Sequence, residues 1–497
     1  MTAQSSSTSL IDFDNSYARL PDRFYSRVAP SPVTAPRLIR VNERLAQDLN
    51  HTVRQLLTDG LPVFSGNAVE PGSTPLAMAY AGHQFGNFVP ELGDGRAILL
   101  GEVLDQHGKR YDIQLKGSGL TPYSRRGDGR AALGPVLREY VLSEAFAALG
   151  IPATGALAAV VTGDYVMRDP PAPGAILTRV AASHIRVGTF QYFAARSDKD
   201  AIRVLAGYVI ARHYPEAAQA DNRFAALLDL VIARQASLIA QWMHVGFIHG
   251  VMNTDNMSIA GETIDFGPCA FIDSYHPGTV YSSIDHRGRY AYANQPRIAQ
   301  WNLTRFAETL LPLLAEEQEA AVGVAQEAVN RFGVCYEAAY ETGLRAKLGL
   351  GRAEAGDAAL GLDLLQIMAD SDADFTLTFR GLCDAAGSQE GLSAVRSLFA
   401  NATAFDAWAE RWRQRLADEG GDAGQRRDVM RRVNPAFIPR NHLVEEVIRA
   451  AVDQDDFAPF ENLLEVLATP FDDQPDNARY AAPPTPDQVV HQTFCGT

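Results

Sequence analysis

The alternation of apolar and polar residues predicts a β-rich first third of the chain. Residues 98–104 (ILLGEVL) and 111–116 (YDIQLK) are two apolar runs joined by DQHGKR, whose Gly108 suits a hairpin turn. Residues 155–167 (GALAAVVTGDYVM) and 174–180 (GAILTRV) are predicted to form two further strands around the loop RDPPAP. We therefore expect the strand-rich part to end near residue 180.

Helical spacing of apolar residues predicts mainly helices in the rest of the chain. Residues 131–150 place Leu133, Leu137 and Val141 on one face, and Gly150 ends this predicted helix. Residues 223–247 form a longer apolar segment whose apolar positions exceed one narrow face, so we expect this helix to be buried centrally. Good helix formers dominate again after about residue 305.

Composition excludes several classes of protein. The chain has 497 residues, 46% of them hydrophobic, which is enough for a sizeable core. Its formal net charge of −15 disfavours a broad nucleic-acid surface. We find neither a secretory signal nor a membrane-spanning run, so we expect a cytoplasmic protein that does not bind membranes. The four cysteines form no CxxC pair, which argues against a structural zinc site.

The densest group of polar residues lies in residues 247–268, FIHGVMNTDNMSIAGETIDFGP. MSIA and ETID are predicted to form two short strands turned at Ala260-Gly261, with Asp255 and Asn256 before them and Asp265 after them. Carboxylate and amide oxygens could then converge, as a magnesium ion carrying ATP phosphates requires.

The order of these motifs resembles that of protein kinases. Kinases use a Gly-rich loop over the phosphates, a strand Lys paired with a helix Glu, a catalytic-loop Asn and the Asp of DFG. The corresponding residues here are Gly93, Gly95, Lys116, Glu139, Asn256 and Asp265. The resemblance predicts an α+β, protein-kinase-like, two-lobed fold with a β-rich N-lobe and a mostly helical C-lobe. We expect the nucleotide-binding lobe at 1–180, the helical lobe at 181–470 and an extended tail at 471–497.

One kinase residue is replaced. Val251 stands five residues before Asn256, where kinases carry the catalytic Asp. Ordinary phosphoryl transfer is therefore not favoured by the sequence.

The amino-acid sequences of these motifs are similar to those of the selenoprotein O family of pseudokinases. ELGDGRA, QLKGSGLTPYSRRGDGR, LREY, HGVMNTDNM, DFGPCAF and NQPRIAQWNL carry the resemblance, which is strong over residues 80–305. It implies protein AMPylation with ATP and Mg²⁺ or Mn²⁺. ATP would lie reversed relative to kinases, so that AMP passes to Ser, Thr or Tyr hydroxyls of protein substrates. Redox-related proteins are plausible substrates by this analogy.

The resemblance also implies roles for individual residues. Lys116, held by Glu139, would neutralise phosphate charge, and Asn256 with Asp265 would hold the metal ion. Asp255 would accept the hydroxyl proton in place of the missing kinase Asp. Arg179 and Arg186 match the family positions of the cationic pocket for the γ-phosphate. Gly93, Gly95 and Arg96 match the loop that contacts the nucleotide. Asp128 and Gly129 match positions near the displaced base.

Three residues are assigned supporting or redox roles. His249 is expected to brace the catalytic loop, as its kinase counterpart does. Cys495 resembles the family's redox-active position, and Cys269, directly after DFGP, is the nearest candidate partner for a disulfide.

Two alternatives remain open at this point. A divergent kinase could use Asp255 as the base for γ-phosphoryl transfer, and an inactive pseudokinase could bind nucleotide as a scaffold. The sequence does not identify the modified proteins, the preferred metal or the oligomeric state.

Overall fold

The computed structural model describes residues 9–494 of the chain. Its strands are β1 (Tyr25–Arg27), β2 (Arg37–Val41), β3 (Leu76–Met78), β4 (Gly82–Gln84), β5 (Asn87–Val89), β6 (Ala97–Leu104), β7 (Arg110–Lys116), β8 (Ala131–Ala132), β9 (Gly155–Val166), β10 (Ala172–Ala181), β11 (Phe247–Ile248) and β12 (Ala270–Phe271).

Its α-helices are α1 (Glu43–Asp48), α2 (Val53–Asp59), α3 (Leu61–Phe64), α4 (Leu133–Leu149), α5 (Val187–Ala194), α6 (Lys199–His213), α7 (Arg223–Val245), α8 (Gln295–Leu314), α9 (Gln318–Lys347), α10 (Asp357–Asp370), α11 (Phe375–Ala385), α12 (Gln389–Arg396), α13 (Ala402–Glu419), α14 (Ala423–Arg431), α15 (Asn441–Gln454), α16 (Ala458–Leu467) and α17 (Ala478–Ala481).

One antiparallel sheet forms the core of the N-terminal lobe. Its strands are ordered β1-β3-β6-β7-β10-β9-β2, and β8 pairs with β10. The predicted hairpin of β6 and β7 is confirmed, and Gly108 in its turn has a φ of 76°. The predicted strands β9 and β10 and the predicted helix α4 are confirmed within a few residues. Ala131 and Ala132, expected in that helix, instead extend the sheet as β8.

The C-terminal part is mostly helical, which confirms the two-lobed, kinase-like α+β fold class. Helix α7 lies at its centre and packs against α8 and α9. With 23 residues and a mean hydropathy of 1.4 over its most apolar window, α7 could span a membrane by length and composition. Its burial against the neighbouring helices accounts for that apolarity, as in the core of a soluble protein. A second apolar core, around Trp408 and Trp412, joins α10, α11 and α13.

Helix α4 is packed on more than one side. It contacts β9 and β10 of the sheet, and α15 and α16 from the far end of the chain cover it as well. The Tyr140 and Phe460 rings meet edge to face with their centroids 5.3 Å apart. Arg138 on α4 forms an ion pair with Glu445 on α15. The helix is thus held between the sheet and the last helices of the C-terminal part.

Two local expectations were wrong. MSIA and ETID do not form a two-stranded hairpin: only Met257 and Thr263 pair, although the turn lies at Ala260–Gly261 as predicted. The flanking backbone pairs elsewhere, because Ser258 bridges to Arg186 and Thr263 bridges to Ala153. The tail is not extended throughout, since residues 475–481 form a 3₁₀ turn followed by α17.

Candidate active site

Four charged side chains form a closed ring where the two lobes meet: Lys116, Glu139 and Arg179 are buried, whereas the Asp265 side chain is 27% exposed. Lys116 Nζ lies 2.6 Å from Glu139 Oε2 and 3.0 Å from Asp265 Oδ1. Arg179 binds the same two carboxylates: its Nε pairs with Glu139 Oε1, and its Nη2 lies 2.8 Å from Asp265 Oδ1. Each cation therefore contacts both anions, and the ring is neutral overall.

The ring joins elements that are distant in sequence. Lys116 ends β7 and pairs in register with Ala97 of β6 and Leu177 of β10, which places it inside the sheet rather than at its edge. Glu139 lies in the middle of α4, and Arg179 lies on β10. Asp265 follows the catalytic loop in a left-handed conformation with a φ of 63°, which is uncommon for a residue other than glycine.

The charges of the ring keep both carboxylates ionised. Burial alone would raise the pKa of Glu139, but Arg179 and Lys116 outweigh burial and hold that pKa below its usual value. Burial opposes ionisation of Asp265 too, and Lys116, Arg179 and Arg96 together bring its pKa well below the usual range. Both carboxylates are therefore ionised throughout the physiological pH range.

The catalytic-loop residues lie beside this ring. Asp255 and Asn256 share a 3₁₀ turn, and Asn256 Nδ2 donates to Val251 O over 2.9 Å. Asp255 Oδ2 accepts from Gln84 Nε2 at 3.2 Å, whereas its Oδ1 is buried without a hydrogen-bond partner. Burial raises the pKa of Asp255 to about 6, although the bond from Gln84 lowers it. A carboxylate with that pKa is suited to accept a proton near neutral pH.

Asn256 and Asp265 have free oxygens that suit a hard divalent cation. The amide nitrogen of Asn256 is used by Val251, so its Oδ1 remains for a ligand. Lys116 and Arg179 both bind Oδ1 of Asp265, and none of the described residues donates to its Oδ2. Residues 9–494 contain no cluster of three or more His, Cys, Asp or Glu side chains that could hold a metal.

Arg186 reaches the catalytic loop from the start of α5. Its Nη1 donates to Asp255 O over 3.0 Å, and its Nε donates to His184 O over 3.1 Å. The guanidinium lies over the Tyr80 ring, 4.4 Å from its centroid, and 4.0 Å from Asp94 Oδ1. A second buried guanidinium is thereby held close to the candidate base.

The Gly-rich loop precedes β6. Gly93 has a φ of 64°, and a Cβ there would collide with the Tyr123 ring. Gly95 lies against the Tyr123 backbone, and Arg96 is half-buried beside it. Asp94 between them accepts from Met78 N at 3.0 Å, so its side chain supports the loop from within.

Asp128 and Gly129 lie on a neighbouring loop. Asp128 is exposed and forms an ion pair with Arg168 at 2.7 Å. Gly129 has a φ of 69° and packs so closely on Gly119 that no side chain fits there.

His249 and Cys269 are both buried near the DFG segment. The His249 ring binds Ile264 O through Nε2 at 2.9 Å. Burial raises the pKa of the Cys269 thiol to about 12. Cys495, its predicted disulfide partner, lies outside the described residues. The nearest described part of the tail does approach this segment, because Thr493 Oγ1 donates to Pro268 O over 2.6 Å.

Sequence reasoning missed the residues that contact Asp255 from the N-terminal lobe. Gly82 and Gln84 belong to the small hairpin of β4 and β5, immediately before the Gly-rich loop. The string GHQFGN carried a turn signal in its second glycine, but no local pattern indicated that it packs against residues some 170 positions away.

Comparison with known proteins places these residues in a family context. The sequence model described as "Protein adenylyltransferase SelO" matches residues 8–468. A protein named "Protein nucleotidyltransferase YdiU" from Methylorubrum extorquens (strain PA1) is 63% identical over 497 residues, covering 99% of this chain and 100% of that protein. Proteins of the same name from Rhodopseudomonas palustris (strain BisB18) and Bradyrhizobium diazoefficiens are 62% and 63% identical over 486 residues, 98% of this chain and 99% of each relative.

Proposed function

We propose that this chain, which belongs to the protein adenylyltransferase SelO family, transfers AMP from ATP to Ser, Thr or Tyr hydroxyls of other proteins. It is a protein nucleotidyltransferase, so its substrates are a nucleotide and a protein. The identity of the acceptor hydroxyls and the roles of individual residues belong to the proposal.

The observation that carries the proposal is the pair of buried guanidinium groups in the cleft. Arg179 and Arg186 are each less than 10% exposed, and the family resemblance assigns both to a cationic pocket where a kinase would hold the adenine base. Guanidinium groups bind phosphate oxygens through two parallel hydrogen bonds. A nucleotide bound with its terminal phosphate on these arginines would present its α-phosphate to the catalytic loop.

The chemistry then assigns a role to each residue. Asp255 accepts the proton of the acceptor hydroxyl, whose oxygen attacks the α-phosphorus. The bond from the α-phosphorus to the bridging oxygen breaks, and pyrophosphate leaves. Lys116, oriented by Glu139, neutralises phosphate charge. The backbone at Gly95 approaches the phosphates because no side chain intervenes, whereas Gly93 N donates to Tyr80 O over 3.0 Å and shapes the loop.

Several further assignments belong to the same proposal. Asn256 and Asp265 would hold the divalent ion, Mg²⁺ or Mn²⁺, which neutralises the phosphates of bound ATP. Asp128 and Gly129 would lie beside the displaced base, and His249 would brace the loop. We place the enzyme in the cytoplasm and propose redox-related proteins among its acceptors, with residues 1–180 as the nucleotide-binding lobe.

The test is label transfer from ATP. The purified enzyme is incubated with a protein mixture and with ATP labelled at either the α or the γ position, beside an Asp265→Ala variant. Asp59→Ala, which removes an exposed carboxylate at the end of α2, serves as the matched control. We expect protein label from α-ATP only, lost in Asp265→Ala and kept in Asp59→Ala.

The other outcomes select the alternatives. Label from γ-ATP only would make the protein a divergent kinase with Asp255 as its base. No label from either position, with ATP binding intact, would make it a nucleotide-binding scaffold.

A further inference from the structure

The β4–β5 hairpin, residues 82–89, is docked on the catalytic loop through its backbone. His83 N donates to Thr254 Oγ1 over 2.7 Å, and Phe85 N donates to Asn253 Oδ1 over 3.0 Å. Both acceptors directly precede the candidate base in sequence. The backbone at His83 and Phe85 is therefore hydrogen-bonded to side chains of the loop that performs the chemistry.

Two residues of the same strand contact the base itself. Gln84 Nε2 donates to Asp255 Oδ2 over 3.2 Å. A Cβ at Gly82 would lie 2.9 Å from Cβ and Cγ of Asp255 and would collide with Oδ1, so the carboxylate lies directly over the glycine backbone. Oδ1 is buried and unpartnered in this position. The hairpin thus binds one carboxylate oxygen and covers the other.

The hairpin is also held by side chains of helices α5 and α8. Gln191 on α5 joins it to the loop, because its Nε2 lies 2.8 Å from His83 Nδ1 and its Oε1 accepts from Thr254 Oγ1 at 2.6 Å. The Trp301 ring meets the His83 ring edge to face, 5.2 Å between centroids. These contacts hold the hairpin against the catalytic loop.

A covered base has a chemical consequence for any transfer to a protein hydroxyl. Water is a competing acceptor: its oxygen can attack the α-phosphorus while the base takes its proton, and ATP is then split into AMP and pyrophosphate. Exclusion of water from the base suppresses this side reaction.

We propose that the 82–89 hairpin is a cover that makes Asp255 select a protein hydroxyl over water. Gln84 is the positioning residue that holds the carboxylate under the cover, and the acceptor protein displaces the hairpin when it binds. This inference rests on the proposed function, because it assigns selectivity to the same base.

The test measures how ATP is partitioned between two products. Free AMP and protein-bound AMP are both counted from α-labelled ATP, with and without acceptor protein. In Gln84→Ala we expect the ratio of free to protein-bound AMP to rise about tenfold, as loss of one hydrogen bond to a charged group would allow. Gln84→Met keeps the approximate length of the side chain, cannot donate and adds no charge beside Asp255, so it should raise the ratio similarly.

Matched controls separate this effect from damage to the fold. Asn87 pairs with Gln84 across the hairpin and is exposed, so Asn87→Ala should leave the ratio unchanged. A purely structural role of Gln84 would lower both products in parallel, and that result, or an unchanged ratio, overturns the proposal. Gln84→Met decides the matter if Gln84→Ala fails to fold. A wild-type enzyme that labels no protein from α-ATP refutes the proposed function and this inference together.

Discussion

Replacement of Glu139 by Gln tests the charge ring most directly. Glu139 binds Lys116 through Oε2 and Arg179 through Oε1, and its side chain is only 2% exposed. The amide is nearly isosteric, so the packing of α4 is retained. The variant removes one of two anions and leaves two buried cations facing Asp265 alone.

The expected cost follows from burial. Removing one partner of a buried ion pair typically costs about 3–5 kcal/mol, because the remaining charge loses its compensation in a medium of low polarity. Glu139 pairs with two cations, but Lys116 and Arg179 both keep their contacts with Asp265. We therefore expect the loss in the free energy of unfolding to stay within that range rather than to double. AMP transfer should fall as well, because Lys116 is no longer fixed from the side of α4.

The assay is urea denaturation followed by tryptophan fluorescence, with the free energy of unfolding taken at an unchanged slope. Asp229→Asn removes one partner of a half-exposed ion pair with Arg331 and is the control, for which we expect little change. Wild-type stability in Glu139→Gln would refute the view that Glu139 is a tightly coupled, buried member of this ring.

Three further variants test other buried groups. Burial raises the pKa of Glu262 to about 7, so its carboxyl favours folding most below pH 4.5, and this contribution is lost as the pH rises through 7. In denaturation at pH 9, the free energy of unfolding of Glu262→Gln should exceed that of wild type by up to about 3 kcal/mol. Equal stability of the two proteins at pH 9 would contradict the raised pKa. Burial lowers the pKa of Lys347 to about 7, so the protein loses stability as the pH falls from 10.5 through 7. The free energy of unfolding of Lys347→Met should exceed that of wild type by up to about 5 kcal/mol at pH 6, and the two should be equal above pH 11. Thr493→Val removes the hydrogen bond to Pro268 O at a cost of about 1 kcal/mol, and amides of residues 268–283 should exchange faster with deuterium. Unchanged exchange would show that the tail does not support that segment.

Local patterns predicted the elements that the site depends on. The apolar runs of β6 and β7 with Gly108 between them define a hairpin by themselves, and α4 follows from its helical spacing. Lys116 and Glu139 could be paired in advance because the kinase pattern relates a strand Lys to a helix Glu, and the structure places them 2.6 Å apart.

Contacts between distant segments could not be predicted in this way. Arg179 was assigned to a phosphate alone, yet it binds Glu139 and Asp265, because β10 lies beside β7 in the sheet. Residues 257–264 look like a hairpin locally, but Ser258 finds its partner in Arg186 instead. The pairing partner of such a backbone segment depends on which other segments tertiary packing brings near it, and this information is not contained in the local sequence.

The enclosure of α4 between the sheet and the last helices bears on how this enzyme can be controlled. Protein kinases commonly switch themselves off by swinging the equivalent helix outward, which pulls the Glu away from its Lys. Here Arg138 and Tyr140 tie that helix to α15 and α16, so the same movement would require two further helices to detach. The pairing of Lys116 with Glu139 is therefore maintained by the fold itself, and we do not expect this enzyme to be switched off by an outward movement of α4.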